Sequence, residues 1–177
     1  MPTDPSHPPA IVVMGVSGSG KTTIARRLAH ALGGRFVDGD DLHSDEARSK
    51  MREGRALDDD DRWPWLDRVG ATLKEVEREG YAVVVACSAL KKRYRDRIRA
   101  AVGPTLRFVY LAAEPVAVRA RVGARAGHYM PASLVDSQFA ALEAPVDETD
   151  VVTVPADGAI ESEVAALVRI LASPAPT

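Results

Sequence analysis

Gly15-Val16-Ser17-Gly18-Ser19-Gly20-Lys21-Thr22 fits the pattern G-x-x-x-x-G-K-[ST] in full. It directly follows an apolar run at residues 10–14 and directly precedes residues 21–32, whose apolar side chains recur at helical spacing. A strand, a glycine-rich turn and a helix in that order make a phosphate cradle. The glycines admit backbone conformations that a Cβ would block, so successive N–H groups can turn inward, and the helix N-terminus adds partial positive charge. Gly15, Val16, Ser17, Gly18, Ser19, Gly20, Lys21, Thr22 and Thr23 form the predicted phosphate-binding set. Lys21 is placed to reach the β- and γ-phosphates of a nucleoside triphosphate, and the Thr22 hydroxyl to ligate Mg²⁺.

Outward from this loop, short β-branched runs alternate with helical patterns. Residues 10–14, 35–38, 82–86, 106–111 and 151–154 are the strand candidates, and 21–32, 61–78, 91–101, 115–125 and 159–171 the helices between and after them. The strand runs are continuously apolar, as suits a parallel sheet buried on both faces, and the connections are long enough for helical crossovers. The predicted fold class is a three-layer α/β sandwich around a five-stranded parallel sheet. Residues 1–9, with four prolines, and the Pro-rich 173–177 read as tails, leaving one domain at 10–172.

The chain has 177 residues, 46% of them hydrophobic, and 23 Lys+Arg against 25 Asp+Glu give a net charge of −2. That balance offers no footprint for nucleic acid or an anionic membrane, so the expected partner is a small molecule. With a lone cysteine, Cys87, no long apolar span and no leader-like N-terminus, the expectation is a cytoplasmic protein.

The loop announces a triphosphate but not what is done with it. A guanine-reading Asn/Thr-Lys-x-Asp is absent, and the D-x-x-G at Asp67–Gly70 lies inside a helical pattern, where it cannot sense a phosphate. A motor ATPase would end an apolar strand in a carboxylate; residues 82–86 run instead into Cys87-Ser88. The carboxylates follow the second strand, in Val37-Asp38-Gly39-Asp40-Asp41-Leu42-His43, at the sheet edge where α/β folds place ligands. Asp38 and Asp40 have strand-like spacing and are expected to share one side of an extended segment, one supporting the Mg²⁺ shell and the other taking a proton from an acceptor hydroxyl.

With these residues in hand, the chain resembles the bacterial-type gluconokinases, relatives of shikimate kinase and the nucleoside monophosphate kinases. The resemblance rests on 14–23, 38–43, Lys50-Met51, Leu57 with 59–66, Cys87-Ser-Ala-Leu-Lys-Lys-Arg-Tyr-Arg-Asp96, Arg125-Ala-Gly-His-Tyr-Met-Pro131 and Ser137-Gln-Phe-Ala-Ala-Leu-Glu143. It implies ATP and Mg²⁺ as cofactors, gluconate as the small-molecule acceptor, sheet order 2-3-1-4-5, an acceptor-binding region at about 40–78 with a helical insertion at 44–78, and a lid at about 119–131. Family members are often homodimers. The resemblance further implies Asp40 as the base, Asp38 near the metal through water, and an acceptor pocket of Asp40, His43, Arg62, Ser88, Lys91, Tyr94, Arg95 and His128, with the lid arginines Arg121 and Arg125 joining Lys21 in catalysis. A carboxylate asks for Arg or Lys, and a row of hydroxyls for mixed donors and acceptors. Ala56, Ala126, Tyr129 and Thr22 depart from the family's usual proline, lysine, phenylalanine and serine; Thr22 keeps its hydroxyl and Tyr129 its ring. Two competing readings are a kinase for another hydroxy acid such as shikimate, whose family carries Gly-Gly-Gly where this chain has Cys87-Ser88-Ala89, and a non-catalytic nucleotide switch.

Overall fold

The computed structural model describes residues 8–124 and 132–172. Five strands, β1 (Ala10–Met14), β2 (Arg35–Asp38), β3 (Val83–Ala86), β4 (Leu106–Ala112) and β5 (Val151–Pro155), pair in parallel in the order β2-β3-β1-β4-β5. This is the expected topology. The helices are α1 (Lys21–Ala31), α2 (Asp45–Arg52), α3 (Asp59–Arg78), α4 (Lys92–Val102), α5 (Pro115–Ala124), α6 (Ala132–Ala141) and α7 (Ile160–Leu171). No helix among the described residues is long and apolar enough to cross a membrane.

Alternate residues of the central strands feed two cores, as the period-2 geometry of a strand demands. Val12, Met14, Val83, Val85 and Phe108 meet Trp65, Leu66, Val69 and Leu73 of α3 and Ile98 of α4 on one face. Ile11, Val13, Val84, Val109 and Leu111 meet Ile24 and Leu28 of α1 and Val164 and Leu167 of α7 on the other. The edge strands β2 and β5 are only partly covered, so double-sided burial holds for the three central strands alone.

The charge run that opens α3 is a working helix cap. Asp58 accepts from the Asp61 N–H at 2.8 Å while the Asp61 carboxylate accepts from the Asp58 N–H at 3.2 Å, a reciprocal capping box that moves the helix start ahead of the expected residue 61. Gly70, the last residue of the D-x-x-G, lies within α3, where an added Cβ would sit 2.6 Å from Ala101 Cβ. The glycine serves α3–α4 packing and senses no phosphate.

A third apolar cluster gathers off the C-terminal edge of the sheet. Val16 of the phosphate loop, Leu90 of the loop after β3, Val118 of α5 and Val135 of α6 are buried together, with Val122, Phe139 and Leu142 packed on them. It ties the two loops that leave β1 and β3 to the two helices that follow β4.

Candidate active site

In the phosphate loop the Val16 carbonyl accepts from the Ser19 N–H at 3.2 Å and from Lys21 Nζ at 2.9 Å, so the lysine folds across its own loop. Ser19 Oγ is buried and has no hydrogen-bond partner, an orphan donor of the kind a phosphate oxygen would satisfy. Lys21 keeps some solvent contact, yet burial of its ammonium pushes its pKa down to about 8, against the opposing pull of Asp40, Cys87 and Asp38. Thr22 and Thr23 are exposed at the head of α1. One loop donor is already taken: the Ser17 N–H donates to Oε1 of Gln138 at 2.6 Å, so Ser17 does not present its amide to a phosphate as expected from the sequence.

The acidic segment corrects a second expectation. Asp38 ends β2, and residues Gly39–Leu42 form a 3₁₀ turn rather than an extended segment, because the Asp38 carboxylate caps it by accepting from the Asp40 N–H at 3.1 Å. The turn lies against the end of β3, where a Cβ on Gly39 would meet the Ala86 carbonyl oxygen at 2.4 Å; only glycine fits. Side chains from α2 and α3 hold the turn's carbonyls: Trp65 Nε1 donates to Gly39 at 2.7 Å, Arg68 Nε to Leu42 at 2.5 Å, and Arg48 to Asp41 at 2.5 Å and His43 at 3.3 Å. Asp40 projects from this scaffold. Its outer side meets solvent, but desolvation by the surrounding protein and the neighbouring Asp38 raise its pKa above the usual aspartate range, with Lys21 opposing.

His43 is buried with its ring stacked on Trp65 at 4.2 Å between centroids. Burial, and then the positive charges of Arg62, Arg68 and Arg48, push its pKa down to about 4, so the imidazole is neutral at physiological pH. Its Nδ1 has no partner. A neutral ring held in this way can hydrogen-bond a hydroxyl without competing for a negative charge.

Beyond the turn, cations gather on Tyr94. Arg62, Lys91 and Arg93 lie 5.5, 5.6 and 5.7 Å from its ring centroid, and Trp63 packs edge-on at 5.7 Å. Asp59 anchors the group, accepting from the Tyr94 hydroxyl at 2.5 Å and pairing with Arg93 at 2.5 Å and Lys91 at 3.8 Å. Arg62 donates to the Leu57 carbonyl at 3.2 and 3.3 Å. Lys91 occupies the N-cap position of α4, and the Ser88 carbonyl accepts from the Gly15 N–H at 3.2 Å, joining the acceptor-side loop to the phosphate loop.

Two predicted residues are placed elsewhere. Arg95 is wholly buried, and its donors are engaged with Glu148 at 2.9 and 2.5 Å and with the carbonyls of Ala89, Leu90 and Glu143 at 3.0–3.1 Å. With five N–H groups so occupied it has none left for an acceptor; it is a structural arginine. Arg121 donates to the Ala156 carbonyl just beyond β5 at 2.7 Å, not to the phosphate loop. Arg125 and His128 lie outside the described residues, as does the part of the expected lid beyond residue 124 up to 131.

Cys87 locates where these elements converge. Its thiol is buried at the end of β3, its pKa is pushed up to about 12 chiefly by burial, and it lies within electrostatic reach of Asp40, Lys21 and Arg62. The phosphate loop after β1, the acidic turn after β2 and the Cys87-Ser88 segment after β3 thus leave the same C-terminal edge of the sheet, β3 pairing with both β1 and β2. A thiol held protonated there is packing, not a nucleophile.

Comparison with known proteins places the chain in a family. A family model described as an AAA domain matches residues 11–148, from β1 through Glu148. A probable gluconokinase of Schizosaccharomyces pombe is 43% identical over 166 residues, covering 90% of this chain and 86% of its own length. The chain belongs to the gluconokinase family. The thermoresistant gluconokinase of Escherichia coli is 40% identical over 161 residues, covering 90% of this chain and 91% of the relative. A crystal structure of a gluconokinase from Sinorhizobium meliloti superposes with a TM-score of 0.84 at 43% identity, covering 93% of this chain and 94% of that one. With gluconokinases so similar over nearly the whole chain, the phosphate loop, acidic turn and Tyr94 cluster all fall within the shared fold.

Proposed function

We propose that this chain transfers the γ-phosphate of ATP to the 6-hydroxyl of D-gluconate, giving 6-phospho-D-gluconate and ADP, in the cytoplasm. The observation that carries the reading is that the phosphate loop after β1 and the acidic turn after β2 leave strands that both pair with β3, with the phosphate loop hydrogen-bonded to Ser88 beyond β3, in a chain belonging to the gluconokinase family. Lys21 offsets charge on the transferring phosphate, the loop amides and the Ser19 hydroxyl bind its neighbours, and Asp40 orients the acceptor alcohol and takes its proton. Arg62 and Lys91, gathered on Tyr94, supply positive charge for the acid group of the acceptor, and neutral His43 a hydrogen bond to a hydroxyl. For Arg121 to act on the phosphate it must exchange the Ala156 carbonyl for the nucleotide.

Among the described residues no group of three or more His, Cys, Asp and Glu could hold a metal alone. That donor set fits Mg²⁺ held mainly by phosphate oxygens and water, with the Thr22 hydroxyl as a direct ligand and Asp38 acting through water. The ion supplies charge neutralisation on the phosphates when bound.

The deciding experiment is ADP release from Mg·ATP with gluconate, shikimate, neutral sugars, nucleoside monophosphates or no acceptor. Release that depends on gluconate is the expected result. Shikimate-dependent release would reassign the acceptor, and nucleotide binding with no acceptor-dependent release would leave a switch; neither is favoured by relatives that are gluconokinases.

Lys21 makes a second test. A bound triphosphate favours the charged lysine and raises its pKa above the value of about 8 in the free protein. Above pH 8 the nucleotide must then bind together with a proton, and its affinity should fall by up to about tenfold per pH unit. Calorimetry at pH 9 in buffers of different ionisation enthalpy should report that uptake, and at pH 6.5 none from this group. Absence of uptake at pH 9 would remove Lys21 from the phosphates.

A further inference from the structure

Ser137-Gln-Phe-Ala-Ala-Leu-Glu143 contributes to the family resemblance, yet none of its residues has a role in the chemistry above. α6 carries most of it, and the stripe it lays on the phosphate loop is Val135, Gln138, Phe139 and Leu142, spaced i, i+3, i+4 and i+7. Three of the four are apolar and pack in the cluster around Val16 and Leu90. Packing alone would be served by a fourth apolar side chain. Gln138 stands there instead, and its Oε1 accepts the Ser17 N–H at 2.6 Å across 121 residues of sequence.

The far end of the same segment is also fixed. The Glu143 N–H donates to the Leu90 carbonyl at 2.9 Å, its carboxylate accepts from the Lys92 N–H at 2.6 Å, and its own carbonyl accepts from Arg95 at 3.0 Å. With Glu143 so held and Phe139 and Leu142 packed, the amide oxygen of Gln138 is a fixed point against which the loop is set. On the other side of Ser17, Gly18 adopts φ +81, and a Cβ there would lie 2.9 Å from Val122 of α5. The apex of the loop is thus held by α5 and α6 before any ligand arrives.

We propose that Gln138 is a positioning residue for phosphoryl transfer. Its amide oxygen fixes the Ser17 peptide and thereby aims the N–H groups that follow in the loop at the triphosphate. A neutral acceptor is required at that place: a carboxylate could make the same hydrogen bond, but it would set a negative charge beside a polyanion. Preorganised donors of this kind need no rearrangement when the ligand binds, so the benefit appears in nucleotide affinity and turnover, not in gluconate affinity.

The inference rests on the loop being the ATP site, and direct binding of Mg·ATP to the parent chain tests that separately: a parent that fails to bind overturns the functional reading itself. Given a parent that binds, Gln138→Met keeps side-chain length and removes the acceptor. It should weaken Mg·ATP about tenfold, the loss of one hydrogen bond to a preorganised site, with the KM for gluconate within about twofold and the melting temperature retained. The Ser17 amide proton should also move upfield in the ¹H–¹⁵N spectrum. Gln138→Glu should hold that resonance downfield and still weaken Mg·ATP, recovering as added salt screens the repulsion. Unchanged or tighter nucleotide binding by Gln138→Met would overturn the proposal, the latter by making the amide a plug. So would parallel losses for both substrates with a lowered melting temperature, which would mark simple packing. Should Gln138→Met not fold, Gln138→Glu decides alone: full Mg·ATP affinity at low salt overturns the proposal.

Discussion

Replacing Asp40 by asparagine is expected to lower turnover with gluconate by about 100- to 10,000-fold, the range for loss of a general base, while Mg·ATP affinity stays within a few-fold. The substitution keeps the shape of the side chain and leaves the contacts that build the turn intact. Trp65, Arg48 and Arg68 all bind backbone carbonyls, and Asp38 caps through the Asp40 N–H, which asparagine retains. What disappears is a proton acceptor whose pKa is raised by desolvation and by Asp38. Asp40 works as a base only when ionised, so the parent's kcat/KM should fall as pH drops through that raised value, at a higher pH than for an ordinary aspartate. Asp40→Asn should lose this acid limb along with the rate. A variant that turns over like the parent, with the same pH profile, would leave Asp40 with no part in the chemistry.

The route from sequence to this site was uneven for identifiable reasons. The strands and the phosphate loop were legible because they depend on local signals: runs of Val and Ile, and a loop pattern whose glycines have one good structural explanation. The acidic turn was half legible. Its residues were evident, but alternation in the sequence suggested an extended segment, and a single side-chain bond from Asp38 to the Asp40 amide was enough to bend the chain into a 3₁₀ turn. α2 showed little apolar periodicity because, with sequence Asp-Glu-Ala-Arg-Ser-Lys-Met-Arg, it buries only Ala47.

Arg95 and Gln138 show the same difficulty in another form. Each lies on its helix's buried stripe, Arg95 with Ile98 and Val102 at i+3 and i+7, and Gln138 with Val135 and Phe139. The periodicity that marks burial is present at both, but polarity at Arg95 pointed to ligand contact and nothing local marked Gln138. What decides such positions is whether a distant segment offers partners, and those partners are Glu148, Glu143 and Ser17, between 48 and 121 residues away.

That distinction has a large measurable consequence at Arg95. Arg95→Leu is expected to destabilise the fold by about 3–5 kcal/mol, as is usual when one partner of a buried, hydrogen-bonded ion pair is removed. For a chain of this size that lowers the melting temperature by about 6–20 °C. Leucine leaves the Ala89 carbonyl without the arginine that holds it, in a residue already at φ 43, and leaves Glu148 with Arg99 alone. Acid should reveal the same loss. Glu148 is held below the usual glutamate range, first by its hydrogen bond to Arg95, and a depressed folded-state pKa contributes stability that is present above about pH 4.5 and lost as pH falls through the depressed value. The parent should therefore lose stability over that acid interval and Arg95→Leu should lose less of it, having less to lose. Thermal or urea unfolding from pH 7 down to 3 measures both effects. Assayed well below its transition, the variant should keep a KM for gluconate within a few-fold of the parent. An unchanged melting temperature with a KM raised about a hundredfold would return the guanidinium to the acceptor pocket, where its burial and its five occupied donors leave it no means of acting.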